Sequence, residues 1–550
     1  MSALLSGSTF LGHLPVGVLG TVTGAAAGGE KLGVLVLVGL CGAAVLGRRG
    51  RIPERPHAVL LLLALVLTPV LLVVDIWNTS PLRHLRDHPA LAAGACVLGI
   101  LVVLALAVLF ARRPAAFALA AVFALPFRLP IASGASTANL LVPLYLVVGA
   151  GALAYAIPRL RGGARSAEPP SGGALDGALG WLTSSRGLEW LLVAAVALYA
   201  VQATYSSEFS KALQNVVFFY APFLLLFALL CEVRWTRRLL AGCFAIATGL
   251  ALLFAGVGFV EYYRQRLFLN PKLVAANQYS DFFRVNSVFF DPNIYGRVLA
   301  LVMILITAAL LQARSRREVL LAAAVLLWLW AGLITTFSES SMAALLLGLA
   351  VLAAWRWDTP TTIYVTLAAA ILALVVVLAA PPSAHLGVSG EGGSANNATS
   401  GRASLVTGGL SLFADRPLEG FGSGSFAHEY RHHHSSSSQA VAVSASHTIP
   451  ITVAAEQGIV GLALYVALLI SAFAVLFRKA GRSPPRIAIA ACFSALMLHT
   501  LAYADFLEDP TTWALLALGV ALGARPPERP RREEAAAAAA GSEGAALARR

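Results

Sequence analysis

Apolar runs of similar length recur along almost the whole chain, separated by short polar connections. Each is close to the ~20 residues that an α-helix needs to cross ~30 Å of hydrocarbon. Fifteen can be placed, at 31–47, 58–76, 91–110, 115–131, 138–157, 188–204, 212–232, 239–262, 295–312, 319–336, 340–357, 361–380, 458–478, 486–505 and 510–523. A weaker stretch at 10–28 reads as a re-entrant or extra span, the last run is short, and 115–131 holds two prolines. The pattern predicts an all-α polytopic integral membrane protein with about 13–16 transmembrane helices and a large outer-face loop. A membrane β-barrel is excluded, because its segments are ~10 residues long and alternate.

Arginine orients these spans. Arg48, Arg49, Arg51 and Arg55 follow the first; Arg112 and Arg113 follow the third; Arg234, Arg237 and Arg238 the seventh; Arg314, Arg316 and Arg317 the ninth. Arg159, Arg161, Arg165 and Arg186, then Arg478, Lys479 and Arg482, continue the alternation, and the tail adds more from Arg525 to Arg550. Basic connections stay on the cytoplasmic side. The N-terminus is then expected outside and the C-terminus inside, with 263–294 and 381–457 on the outer face. Residues 162–187 are rich in Gly, Ser and Pro and read as part of a cytoplasmic linker, 158–187. Residues 524–550 read as a disordered cytoplasmic tail. The expected organisation is an N-terminal set of helices (1–237), a site-bearing membrane region (238–523) and the tail, with no soluble module. Residues 1–30 lack a charged region followed by an apolar one, so the first span is expected to act as the targeting signal.

Composition agrees with this picture. Of the 550 residues, 58% are hydrophobic and 12% charged, against about 25% charged in soluble domains. The formal net charge of +13 is mostly loop arginine, so it calls for no nucleic-acid partner. The five cysteines all lie in apolar runs, without metal-ligand spacing, and no metal site or disulfide framework is indicated. Ionisable groups are scarce inside the spans. Arg128 is the clear exception, while Asp75, Glu189, Glu261, Arg297, Arg356 and Asp505 stand at edges. Ion- and proton-coupled transporters place such groups along their route, so the chemistry is expected at a surface.

The outer loop 263–294 carries Arg264, Arg266, Lys272 and Arg284 on the side where basic residues are unfavoured. Arginine binds phosphate oxygens in bidentate fashion; contact with lipid headgroups explains the same residues. Arg284 stands between Phe282–Phe283 and Phe289–Phe290, and Asp291-Pro292-Asn293 follows as a helix cap. In the long loop, Arg402 opens a helical stretch whose Leu405, Leu410, Leu412 and Phe413 suit packing against the membrane. Arg416 then begins RPLEGFGSGSF, where Gly420, Gly422 and Gly424 allow close backbone approach to a ligand, or simply form a loop. His432, His433 and His434 read as polar filler. His447 is isolated, just before an apolar helix, where a neutral imidazole could take a proton from a sugar hydroxyl; a cap or headgroup contact is the alternative. Glu456, nine residues on, is expected to orient the histidine or another polar group, or simply to end the short helix.

At four blocks the sequence resembles the O-antigen ligase and O-antigen polymerase family of bacterial membrane glycosyltransferases. They are RVNSVFFDPNIYGRVLAL from Arg284, TTFSESSMAALL from Thr335, Arg402 with RPLEGFGSGSF, and SHTIPITVAAEQGIVGLALYV from Ser446. The resemblance covers roughly 240–505. It implies transfer of glycan from an undecaprenyl-diphosphate-linked donor to a glycan, lipid or wall-polymer acceptor, at the outer face of the bacterial plasma membrane, without cofactor or metal. By resemblance, Arg284 and Arg402 hold the donor diphosphate and His447 is the base. Arg416, Gly420, Gly422, Glu456 and Asn293 are the further residues expected at the substrate. Two positions depart from the family pattern: Glu339 replaces the usual arginine after Ser338, and Thr448 the usual asparagine after the histidine. The alternative reading is a transporter or flippase of an anion or lipid-linked sugar.

Overall fold

The computed structural model describes residues 16–48, 51–76, 87–133, 136–162, 177–268, 283–357, 402–433, 448–503 and 506–523. The expected span at 361–380, the tail, Lys272, His434 and His447 lie outside them. In chain order the helices are α1 (Val16–Leu46), α2 (Glu54–Ile76), α3 (Pro89–Arg112), α4 (Ala115–Ala124), then after a hairpin α5 (Val142–Leu160), α6 (Gly177–Leu182) and α7 (Ser185–Ala203). Next come α8 (Phe209–Asn215), which runs through a π-helical turn (Val216–Tyr220) into α9 (Ala221–Glu232), and α10 (Arg237–Arg264). They are followed by α11 (Pro292–Leu310), α12 (Arg316–Ile334), α13 (Glu339–Arg356), α14 (Arg402–Asp415), α15 (Phe426–His433), α16 (Ile449–Phe477), α17 (Pro484–Ala502) and α18 (Pro510–Gly523).

Among the described residues, twelve helices are long and apolar enough to cross a membrane. The protein is an all-α polytopic membrane protein with one small hairpin. Helix starts follow local chemistry. Ser184, Thr236, Ser315 and Ser338 each accept an amide from their own first turn, and Pro stands in the first turn of α3, α11, α16 and α17. The α3 and α12 helices are apolar all round yet largely exposed, as suits faces in lipid. The segment Phe209–Glu232 is almost wholly buried at the centre. There Phe223 packs against Trp513 of α18, ring centroids 6.5 Å apart.

The span expected at 115–131 is not one helix. α4 ends at Ala124, Pro126 lies in the turn that follows, and β1 (Leu129–Ser133) pairs antiparallel with β2 (Ser136–Leu140). A proline ring prevents the helix from continuing normally. Arg128 therefore stands between α4 and β1 rather than inside a span, with its guanidinium 5.7 Å from the Phe290 ring centroid. The linker region also holds a short helix, α6.

Contacts at the helix ends separate two faces. On one, Glu189 at the start of α7 meets Arg48 at 2.7 Å and Arg51 at 3.4 Å after α1. The same face carries Trp355, whose indole N–H donates to Gly481 O at 3.0 Å. The other face collects the starts of α11, α13, α16 and α18 and the ends of α7, α10, α12 and α17. Every described block of the family resemblance begins on that second face.

Candidate active site

Arg284 lies in the segment between α10 and α11, half-buried, with Val285 N donating to Thr335 O at 3.1 Å. Its Nε donates to Thr336 O at 3.0 Å and its Nη2 to Asn293 Oδ1 at 3.2 Å. Asn293 Oδ1 also accepts from Ser338 Oγ at 2.9 Å, and Ser338 Oγ is 2.8 Å from Ser341 Oγ. The guanidinium is thus fixed by the corner between α12 and α13 and by the first turn of α11. Asp291 caps α11, accepting Asn293 N at 2.6 Å, while its other oxygen accepts the Tyr503 hydroxyl at 3.0 Å. Glu339, where the family has arginine, opens α13, and a carboxylate suits a helix N-terminus.

Beneath Arg284 lies Glu261, which is fully buried. Its carboxylate accepts Ser287 N at 2.7 Å and Phe268 N at 3.0 Å, tying the connecting segment to the end of α10. In the sequence Glu261 is one more acidic residue at a span edge. Its partners are two backbone amides, which leave no mark on residue type.

The second group surrounds Glu456. Gly458 has φ +64°, so α16 is two helices joined at a kink, with Glu456 in the short first part. Buried Glu456 accepts Gly424 N at 2.9 Å and Phe426 N at 3.1 Å. It thereby caps α15 and closes the glycine loop. The main chain is laced to the same helix: Phe421 N donates to Ala455 O at 3.1 Å, Gly422 N to Glu456 O at 2.8 Å, and Ile459 N to Pro417 O at 2.8 Å. Gly420 has φ +69° and lies directly against the Glu456 carbonyl. A Cβ on Gly422 would come within 2.6 Å of Ser206 Cα. Both glycines therefore have a reason within the protein: the loop approaches its own backbone closely. Arg416 heads this loop, with its guanidinium 4.6 Å from the Phe421 ring centroid.

The end of α7 clamps the loop from the other side. Gln202 Nε2 donates to Glu419 O at 3.3 Å and Gln457 O at 3.2 Å, and the Tyr205 hydroxyl donates to Glu419 O at 2.8 Å. Sequence reading missed both residues. A glutamine inside an apolar span was the available signal, because a buried amide needs partners.

Arg402 is the first residue of α14; its side chain lies outside what the structure describes. Leu405 and Leu412 of this helix do not face the membrane as expected. They pack with Phe421, Phe426 and Ala455 in a small separate core, while Leu410 is exposed. The histidines read as filler are partly structured: His432 and His433 form the last turn of α15, and His433 meets Phe421 edge to face. The predicted residues thus form two described groups, Arg284 with Asn293 and Arg416, Gly420, Gly422 with Glu456. Among the described residues no cluster of His, Cys, Asp or Glu is arranged to hold a metal ion.

A buried ion pair supports this face. Arg297 Nη2 meets Asp509 Oδ2 at 2.7 Å. Burial works against the charge of Asp509, but the Arg297 guanidinium and, further off, Arg128 outweigh it and hold the carboxyl below the usual carboxylate range.

Residues 324–466 match the family model described as O-Antigen ligase. Over this segment the chain is similar to the O-antigen ligase family. The matched segment is about a quarter of the chain. It runs from within α12 to within α16 and includes Ser338, Arg402, the glycine loop and Glu456, while Arg284 and Asn293 precede it. No curated protein matches the chain. The match supports O-antigen ligase-type glycosyl transfer at a membrane in general, and the many apolar helices make the chain a multi-pass membrane protein.

Proposed function

We propose that the protein transfers or polymerises a glycan from an undecaprenyl-diphosphate-linked donor at the outer face of a bacterial plasma membrane, in cell-surface polysaccharide synthesis. The observation that carries this reading is the corner around Arg284. A guanidinium is held there by Thr336 O and Asn293 Oδ1, on the helix face away from the arginine-rich connections. The positive-inside rule makes that face the outer one. Arg402 and Arg416 belong to the segment gathered on the same face.

In the proposed reaction an acceptor hydroxyl attacks the anomeric carbon of the donor sugar. The new glycosidic C–O bond forms as the bond to the phosphate oxygen breaks. The diphosphate leaves with the electron pair of that bond, and the hydroxyl proton passes to His447. Diphosphate is a competent leaving group, so the protein must chiefly neutralise its charge and orient the acceptor. Arg284, held by Thr336 O and Asn293 Oδ1, supplies positive charge fixed before the reaction begins, and Arg402 adds a second positive charge.

Reconstitution with an undecaprenyl-diphosphate-linked oligosaccharide tests this. The wild type should lengthen or transfer the glycan, and Arg284→Ala, Arg402→Ala and His447→Ala should each abolish transfer while still inserting. Full activity of His447→Ala would reject its role as base. Uptake of glycan or anion into vesicles, without new glycosidic bonds, would instead identify a transporter.

A further inference from the structure

A groove of about 440 Å³ runs between α4, α10, α11, α17 and α18. On α11 it is floored by Ile294, Val298, Leu301, Leu305 and Ala309, one stripe at helical spacing. From Ile294 to Ala309 the helix rises about 22 Å, at 1.5 Å per residue. That exceeds the ~15 Å depth of one leaflet, half of a ~30 Å hydrocarbon core. A phospholipid chain from either leaflet would end near the midplane, short of the groove's far end.

The walls are apolar; Arg237, at the start of α10, lines the far end, and the near end holds three charged groups. Arg128, Arg297 and Asp509 stand there and together carry one net positive charge. Arg297 is only 3% exposed, and its Nη1 is buried without a hydrogen-bond partner although Nη2 is paired with Asp509. A buried charged donor left without an acceptor is costly, and natural proteins seldom leave one. Two guanidinium groups at the mouth of an apolar channel fit an anionic oxygen whose molecule continues as hydrocarbon. Phe289 and Ile294 line this end and belong to the segment that carries Arg284 and Asn293. The charged mouth therefore adjoins the candidate active site.

We propose that this groove holds the long hydrocarbon chain of a polyprenyl lipid whose phosphate oxygens meet Arg128 and Nη1 of Arg297. Identifying that lipid as the glycan donor rests on the functional reading above; the groove as a lipid site does not. Chain length selects the ligand: the occupant must pass the bilayer midplane. Neither arginine belongs to the motif residues assigned to the diphosphate by resemblance, so both are additions to the site.

The test uses the full-length protein in detergent, as wild type, Arg128→Gln and Ala247→Trp, the last filling the groove from α10. Sugar-free undecaprenyl diphosphate is titrated in and its retention read by native mass spectrometry, with and without excess phosphatidylglycerol. The wild type should retain one lipid per chain that phosphatidylglycerol does not displace, and each variant should bind about tenfold more weakly. Equal binding by all three proteins overturns the proposal, as does full displacement by phosphatidylglycerol, which would assign the groove to bulk lipid. Should Ala247→Trp fail to fold, Arg128→Gln decides alone, because its side chain is partly exposed. Wild type that binds the lipid in this way but transfers no glycan refutes the functional reading and leaves the groove assignment intact. Wild type that transfers glycan, with variants that bind and transfer equally well, does the reverse.

Discussion

The Glu456 carboxylate accepts the amide of Gly424 at 2.9 Å, across thirty-two positions of sequence. With the Phe426 amide on its other oxygen, this one side chain satisfies two buried donors at the start of α15. Removing it should leave both unpaired, at about 1–3 kcal/mol each. Glu456→Ala is expected to lower the thermal midpoint and to abolish glycan transfer. Glu456→Gln, which keeps one carbonyl oxygen, should fall between the two. Wild-type stability in Glu456→Ala, read by thermal unfolding in detergent, would contradict this role.

Gly420 combines positive φ with direct contact on the Glu456 carbonyl. An alanine there must shift the loop or kink the backbone of α16. We expect Gly420→Ala to destabilise by more than about 1 kcal/mol and to reduce transfer with insertion intact. Gly249, which has open space around it, is the comparison position. Gly249→Ala should leave both readouts unchanged in paired thermal and activity assays.

Gln202 lies ahead of the matched family segment, yet its amide bridges the carbonyls of Glu419 and Gln457. Gln202→Leu keeps the apolar character of α7 and removes both bonds. Limited proteolysis should then cut within 416–426 faster than in wild type, and transfer should fall. An unchanged cleavage rate would show that the clamp is not needed to hold the loop.

The Arg297–Asp509 pair should make stability depend on acidity. Asp509 has its carboxyl below the usual range in the folded protein. Its contribution is therefore present in full above the unfolded value, about 3.9, and is lost as pH falls through the folded value. Thermal midpoints measured from pH 7 downwards should stay level with respect to this pair until below about pH 4. They should then fall more steeply in wild type than in Arg297→Met/Asp509→Leu. Asp509→Asn alone, which strands a buried guanidinium, should cost about 3–5 kcal/mol at neutral pH.

Much of the fold was readable from the chain itself. Hydrophobic run length and arginine placement report the burial demanded by a bilayer, and both are local properties. Twelve of the expected spans correspond to membrane-length helices, and the Arg284, Ser338 and glycine-loop blocks were visible as polar interruptions. The run at 115–131 misled because composition outweighed two prolines. What the tertiary structure alone decided is how those interruptions are held. Glu456 and Glu261 act on backbone amides, Gln202 on backbone carbonyls, and Gly420 on a neighbouring carbonyl. Backbone groups are the same in every residue, so nothing in the sequence names the partner. The groove likewise arises from five helices drawn from three separate stretches of the chain, and Arg297 became informative only once burial had left its Nη1 without an acceptor.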